Sequence, residues 1–172
     1  YDTSVHYLSD VFRDMFDVLV GRFEHVIVLS DHGELLGEHG KWGHGYGLEP
    51  EVTRIPLHIY SGESSTETVS KSVSIIDLYQ TVLDMTDGID AKEYEQRGES
   101  LIGDTTDRAL LTEYHGLTHT HSVENLIGQG HPREVVEKYN QTLRGVVLPP
   151  DYGHETMDEF SDYGDPGTDS PQ

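Results

Sequence analysis

His25-Val26-Ile27-Val28-Leu29-Ser30-Asp31-His32-Gly33-Glu34-Leu35-Leu36-Gly37-Glu38-His39-Gly40-Lys41-Trp42-Gly43-His44-Gly45 is the stretch that decides how this chain folds. Its first six residues form a short, β-branched run, the pattern of a buried strand in a parallel sheet. The residues that follow show no apolar period. Residues 31–50 hold six Gly and three His, so a long loop leaves the carboxyl end of the strand, where open α/β sheets gather their ligands. Asp31 and His32 stand at that exit. Adjacent side chains of a strand point to opposite faces, so both reach one cation only where the chain turns. Gly33 is read as supplying the freedom for that turn. A carboxylate beside an imidazole suits a divalent ion, oxygen favouring Mg or Ca and nitrogen favouring Mn or Zn. On these residues alone, the corner stays open between a capped turn and a cation site.

Upstream, Val5, Leu8, Phe12, Met15 and Leu19 step at three and four, which predicts an amphipathic helix ending at Gly21. The chain opens in the middle of this pattern, as a truncated chain would. Downstream, Ile55 to Tyr60 reads as a second strand with Pro56 at its start or edge. Ser74 to Met85 reads as a helix: Ser74 and Asp77 fit a capping box, and Ile75, Leu78, Val82 and Met85 make its apolar face. Arg108 to Tyr114 reads as a third strand, Pro132 to Tyr139 as a helix and Thr142 to Leu148 as a last strand. Helices alternating with strands give an α/β class, a mainly parallel sheet flanked by helices. The expected division is one catalytic-type domain over 1–150 and an acidic, disordered tail over 151–172.

Charge narrows the function. The sequence has 11 Lys and Arg against 32 Asp and Glu, a net of −21. Such a chain repels nucleic acid and anionic membranes. The tail from Asp151 holds seven acids and no Lys or Arg, yet the rest still carries −14. Acidity spread this widely points to a high-salt cytoplasm, such as that of a haloarchaeon. Counting Gly and omitting Tyr, the apolar share is roughly 38%, below the ~45–50% of an ordinary globular domain, so an incomplete domain is expected. Cysteine is absent, which excludes disulfides and thiolate metal sites. No apolar run approaches the ~20 residues of a membrane span, and no signal peptide is visible; a cytoplasmic location is expected.

The longer pattern says more. Val28-Leu29-Ser30-Asp31-His32-Gly33-Glu34, then Leu36-Gly37-Glu38-His39-Gly40, Trp42-Gly43-His44-Gly45 and Arg54-Ile55-Pro56-Leu57, resembles the sulfatase family of the alkaline phosphatase superfamily. Ser4 to Leu8 resembles the helix before that family's metal loop, Ile75 to Tyr79 with Val82-Leu83-Asp84 the helix after it, and Leu111 to Tyr114 a later strand. The resemblance covers about residues 1–115. It implies an alkaline-phosphatase-like fold whose N-terminal half is missing here, and a metal-dependent hydrolase of sulfuric or phosphoric esters on small molecules or glycans. It implies that Asp31 and His32 bind the catalytic divalent ion, Ca, Mg or Mn ahead of Zn. His44 falls where many sulfatases place a lysine on the sulfate or leaving-group oxygen, and a protonated imidazole would serve the same anion. Related phosphoethanolamine transferases carry His there, so phosphate chemistry stays open. His39 and Lys41 would line the same site, Glu34 and Glu38 would organise the loop or be solvated rather than bind metal, and Arg54 would be structural. His115, His119 and His121 are open between a second site and polar loop residues.

The family attacks with a formylglycine made inside a Cys/Ser-x-Pro-x-Arg motif, or with Ser or Thr in its phosphotransferase relatives. This sequence holds no Cys and no Ser-x-Pro-x-Arg, and the chemistry requires an activated nucleophile. The chain alone is therefore expected to be inactive. It would be a fragment, half of a split enzyme completed by another chain, or a non-catalytic metal- or anion-binding module.

Overall fold

The computed structural model describes residues 1–62, 68–86, 97–104, 106–117, 122–149, 151–157 and 160–162. Two compact units divide the chain: Tyr1–Asp31 with Ile55–Thr68, and His32–Arg54 with Val69–Gln172.

The first unit begins with helix α1, Asp2–Val20, as the apolar spacing predicts. The helix stops at Gly21, which stays right-handed at φ −78°, so glycine is not required there by backbone sterics. Strand β1, Val26–Leu29, follows. Phe16 meets the ring of Tyr60 edge-on at 5.8 Å and Phe12 at 5.7 Å. No residue of α1 is buried, and its stripe of Val5, Leu8, Phe12 and Met15 is exposed.

The hairpin strands β2, Leu35–Leu36, and β3, Trp42–Gly43, come next, then the one-turn helix α2, Pro50–Thr53, and strand β4, Leu57–Tyr60. β4 pairs with β1 antiparallel, Val26 opposite Tyr60 and Leu29 opposite Leu57. This corrects the expectation of a buried parallel strand, for only Val26 of β1 is buried. A parallel pair needs a crossover, usually a helix packed on the sheet. Residues 30–56 contain no α-helix longer than the four-residue α2, so the chain returns alongside β1 in the opposite direction. Pro56 stands just before β4, where its missing N–H costs the ladder nothing.

In the second unit, helix α3 spans Asp77–Met85, β5 Leu110–His115, α4 Val123–Gly128, α5 Arg133–Tyr139, β6 Thr142–Leu148, β7 Asp151–Glu155 and β8 Phe160–Asp162. The sheet order is β5-β6-β7-β8. Every strand pairing among the described residues is antiparallel, against the mainly parallel sheet expected. The strands at 110 and 142 are found as read, and their mutual direction was not legible.

Two further expectations are corrected. The density of acids suggested disorder from Asp151 onward, yet β7 continues the sheet. Its acids Asp151 and Glu155 are exposed, while Tyr152 and His154 are buried at 3% and 0% exposure. The Tyr152 hydroxyl donates to the Leu48 carbonyl at 2.6 Å and accepts from Thr53 Oγ1 at 3.4 Å. Residues 163–172 of the expected tail lie outside the described residues. In α3 the buried face is Asp77 and Thr81, with Ile75, Ile76, Tyr79 and Val82 exposed. The Asp77 carboxylate accepts from the Ser74 N–H at 2.8 Å, the Glu99 N–H at 2.9 Å and the Arg108 guanidinium. One leg of the expected capping box is present, therefore, as part of a buried ionic knot. Thr81 donates to the Asp77 carbonyl and accepts from the Leu101 N–H. The buried apolar residues include Leu35, Leu48, Val52, Leu110, Val136 and Leu143.

Candidate functional site

The glycine-rich loop is more ordered than its composition suggests. β2 and β3 pair Leu35 with Gly43 and Leu36 with Trp42. Gly37 and Gly43 take positive φ, +119° and +89°, which only glycine adopts without cost. Between the strands lies a 3₁₀ turn, Glu38–Gly40, with His39 left-handed at φ 54°. Leu35 is fully buried and pins the hairpin. The Leu36 N–H donates to the Glu38 carboxylate, and this bond holds the Glu38 pKa below the ordinary carboxylate value.

Gly33 is needed for space, not for positive φ. A Cβ there would stand 1.9 Å from the Glu51 carbonyl oxygen, because the Gly33 N–H bonds the Val52 carbonyl at 2.7 Å. The strand exit is thereby clamped to α2. This corrects the reading of Gly33 as a conformational hinge.

His32 Nδ1 lies 2.9 Å from the Gly33 carbonyl. A carbonyl only accepts, so Nδ1 is the donor in that bond. His44 Nδ1 lies 2.9 Å from Glu34 Oε2, and the same logic makes its Nδ1 the donor. The two rings stack, with centroids 3.9 Å apart and planes 26° from parallel. The hairpin thus brings His44 onto His32 from twelve positions away. His39 Nε2 approaches Glu51 Oε2 at 3.3 Å, and Lys41 forms an ion pair with Glu49. Glu49 is only 3% exposed, so its charge depends on Lys41.

Asp31 is exposed, immediately before the half-buried His32. A carboxylate and an imidazole are donor types that suit a hard or borderline divalent ion. Among the described residues, no group of three or more His, Cys, Asp or Glu could hold a metal ion. Asp31 and His32 are therefore not part of a complete group of that kind among the described residues. His115 is exposed and 3.9 Å from Glu113; His119 and His121 lie outside the described residues.

Sequence reasoning named His39, Lys41 and His44 but missed their carboxylate partners Glu51, Glu49 and Glu34. Glu34 and His44 are ten apart and extend the 35–43 and 36–42 rungs by one, so a hairpin reading of the loop would have paired them.

A family model described as Sulfatase matches residues 1–89. The uncharacterized sulfatase YidJ of Escherichia coli (strain K12) is 35% identical over 89 residues, which are 52% of this chain and 18% of that protein. The low-salt glycan biosynthesis sulfotransferase Agl7 of Haloferax volcanii is 45% identical over 62 residues, 33% of this chain and 15% of that protein. The chain spans less than a fifth of either relative.

Proposed function

This chain belongs to the sulfatase family, and from that premise we propose that its 30–45 loop is part of the site of a metal-dependent sulfuric ester hydrolase. Asp31 and His32 are two ligands of a divalent ion, Ca, Mg or Mn ahead of Zn. When bound, such an ion supplies positive charge to the ester oxygens. The observation that carries the reading is the stacking of His44 on His32 at 3.9 Å. It sets the residue expected to meet the anion beside a residue expected to bind the metal.

In this reading the chain's own groups divide the work. His32 donates through Nδ1 to the Gly33 carbonyl and offers Nε2. His44 donates from Nε2 to an ester oxygen, an anion-stabilising contact of the oxyanion-hole type. Lys41 and His39, held by Glu49 and Glu51, belong to the same loop and are assigned to the lining of the site. The substrate class is a sulfate ester, with a glycan as its carrier by analogy to the glycan biosynthesis named for Agl7. Among the described residues, no helix is long and apolar enough to cross a membrane.

The nucleophile and the remaining ligands then belong to sequence other than these 172 residues, which hold no Cys/Ser-x-Pro-x-Arg. The test is reconstitution. The chain alone should not hydrolyse an aryl sulfate above background. Mixed with a sulfatase-family polypeptide supplying the Cys/Ser-x-Pro-x-Arg segment, it should give turnover that a chelator abolishes. Metal-dependent turnover by the chain alone, lost in Asp31→Ala, would overturn the division of the site.

A further inference from the structure

Glu34 is hydrogen-bonded to the proposed anion-binding imidazole, and the proposed function gives it no role. Its place is set by the hairpin. Leu35 opposite Gly43 and Leu36 opposite Trp42 put position 34 opposite 44 on the next rung. Leu35 is fully buried, so alternation along the strand turns Glu34 to the other face. There the side chains of Glu34 and His44 remain 40% and 50% exposed. An ion pair that open to water adds little to folding stability, so its consequence lies in what it does to the ring.

We propose that Glu34 is a positioning residue, which takes the Nδ1 proton of His44 in a hydrogen bond and thereby fixes Nε2 as the nitrogen that meets a sulfate or phosphate oxygen. This rests on the reading of His44 as the anion donor. Three observations combine: Nδ1 is 2.9 Å from Glu34 Oε2, the carboxylate can only accept, and the His32 ring lies against one face of the imidazole at 3.9 Å. The stack resists a flip of the ring and the carboxylate holds Nδ1. Together they leave one orientation, in the way a carboxylate partner orients a catalytic or metal-binding histidine. His32 is arranged alike, with the Gly33 carbonyl in place of the carboxylate.

The test uses the full 172-residue chain with ¹⁵N-labelled histidine. Imidazole ¹H–¹⁵N correlations tell Nδ1 from Nε2 of His44, and inorganic sulfate, titrated at constant ionic strength, is the probe. In the wild-type chain sulfate should shift Nε2 and leave Nδ1 in place. Glu34→Ala should let sulfate shift Nδ1 as well and weaken sulfate binding about tenfold. Glu34→Gln should keep the affinity within about threefold and the shift on Nε2, because its amide oxygen still accepts. Backbone shifts of Leu35 and Trp42 should stay in place in both variants. Unchanged sulfate affinity in Glu34→Ala, with the shift still on Nε2 alone, would overturn the positioning role while leaving the anion site standing. A wild-type chain in which sulfate leaves His44 unshifted would remove the anion-site reading, and this inference with it.

Discussion

Replacing Gly33 by alanine should unfasten the loop from α2. The added Cβ would stand 1.9 Å from the Glu51 carbonyl oxygen, 2.9 Å from the Glu51 carbonyl carbon and 3.3 Å from Val52 Cα. The closest approach falls 1.1 Å short of the 3.0 Å that real Cβ contacts respect. All three neighbours are backbone, so no side chain can swing aside. Relief requires the strand exit and α2 to separate, and that breaks the 2.7 Å bond from the Gly33 N–H to the Val52 carbonyl. Overpacking of this kind costs about 1–3 kcal/mol and the lost hydrogen bond about 1 kcal/mol more. The expected total is about 2–4 kcal/mol, a fall in Tm of roughly 5–15 °C for a chain of this size. Gly45 is the control. A Cβ there meets nothing within 4 Å and its φ is not positive, so Gly45→Ala should be neutral or stabilising by up to about 1 kcal/mol. Urea unfolding of both variants in the same salt decides the matter. Stabilities of Gly33→Ala and Gly45→Ala that differ by less than about 0.5 kcal/mol, well inside the overpacking range, would refute the clamp.

The buried ionic knot makes a second prediction. Asp77→Ala leaves the Arg108 guanidinium with only the longer Glu99 pair and strands two backbone N–H groups, and should cost about 3 kcal/mol, whereas breaking the exposed Arg13–Asp10 pair with Asp10→Ala should leave the urea midpoint in place. Salt supplies a third. A net charge of −21 makes the compact chain repel itself, so Tm should rise from ~0.2 M to molar KCl as that repulsion is screened; a Tm that peaks at low salt and falls above it would end the high-salt reading.

The parts of the fold that were legible are those governed by local pattern. The three- and four-residue steps of Val5 to Leu19 gave α1, and Thr142 to Leu148 was read to the residue. Strand direction was not legible, because it depends on whether residues 30–56 contain a crossover helix, and they do not. The face of α3 was misread for a different reason. Asp77 and Thr81 are buried through hydrogen bonds to Glu99, Leu101 and Arg108, partners twenty to thirty-one positions away that no helical period reveals. β7 was hidden by its acids, which mask the alternation that buries Tyr152 and His154. At the candidate site the same division holds. Asp31, His32 and His44 stand out by residue type and motif. Glu34, Glu49 and Glu51 do not, since their pairing follows from a hairpin register and from the approach of α2.

The most direct test of the account counts metal and turnover in the same samples of the reconstituted enzyme. Metal content by mass spectrometry and aryl sulfate turnover should be measured for Asp31→Ala, His32→Ala and His44→Ala. The first two should lose metal and activity together, by on the order of 10³-fold or more, since a bound ion is worth several kcal/mol of charge stabilisation. His44→Ala should keep its metal and lose roughly 10²–10³-fold in turnover, the size of one missing anion donor. Bound metal and near-normal turnover in either Asp31→Ala or His32→Ala would contradict the account.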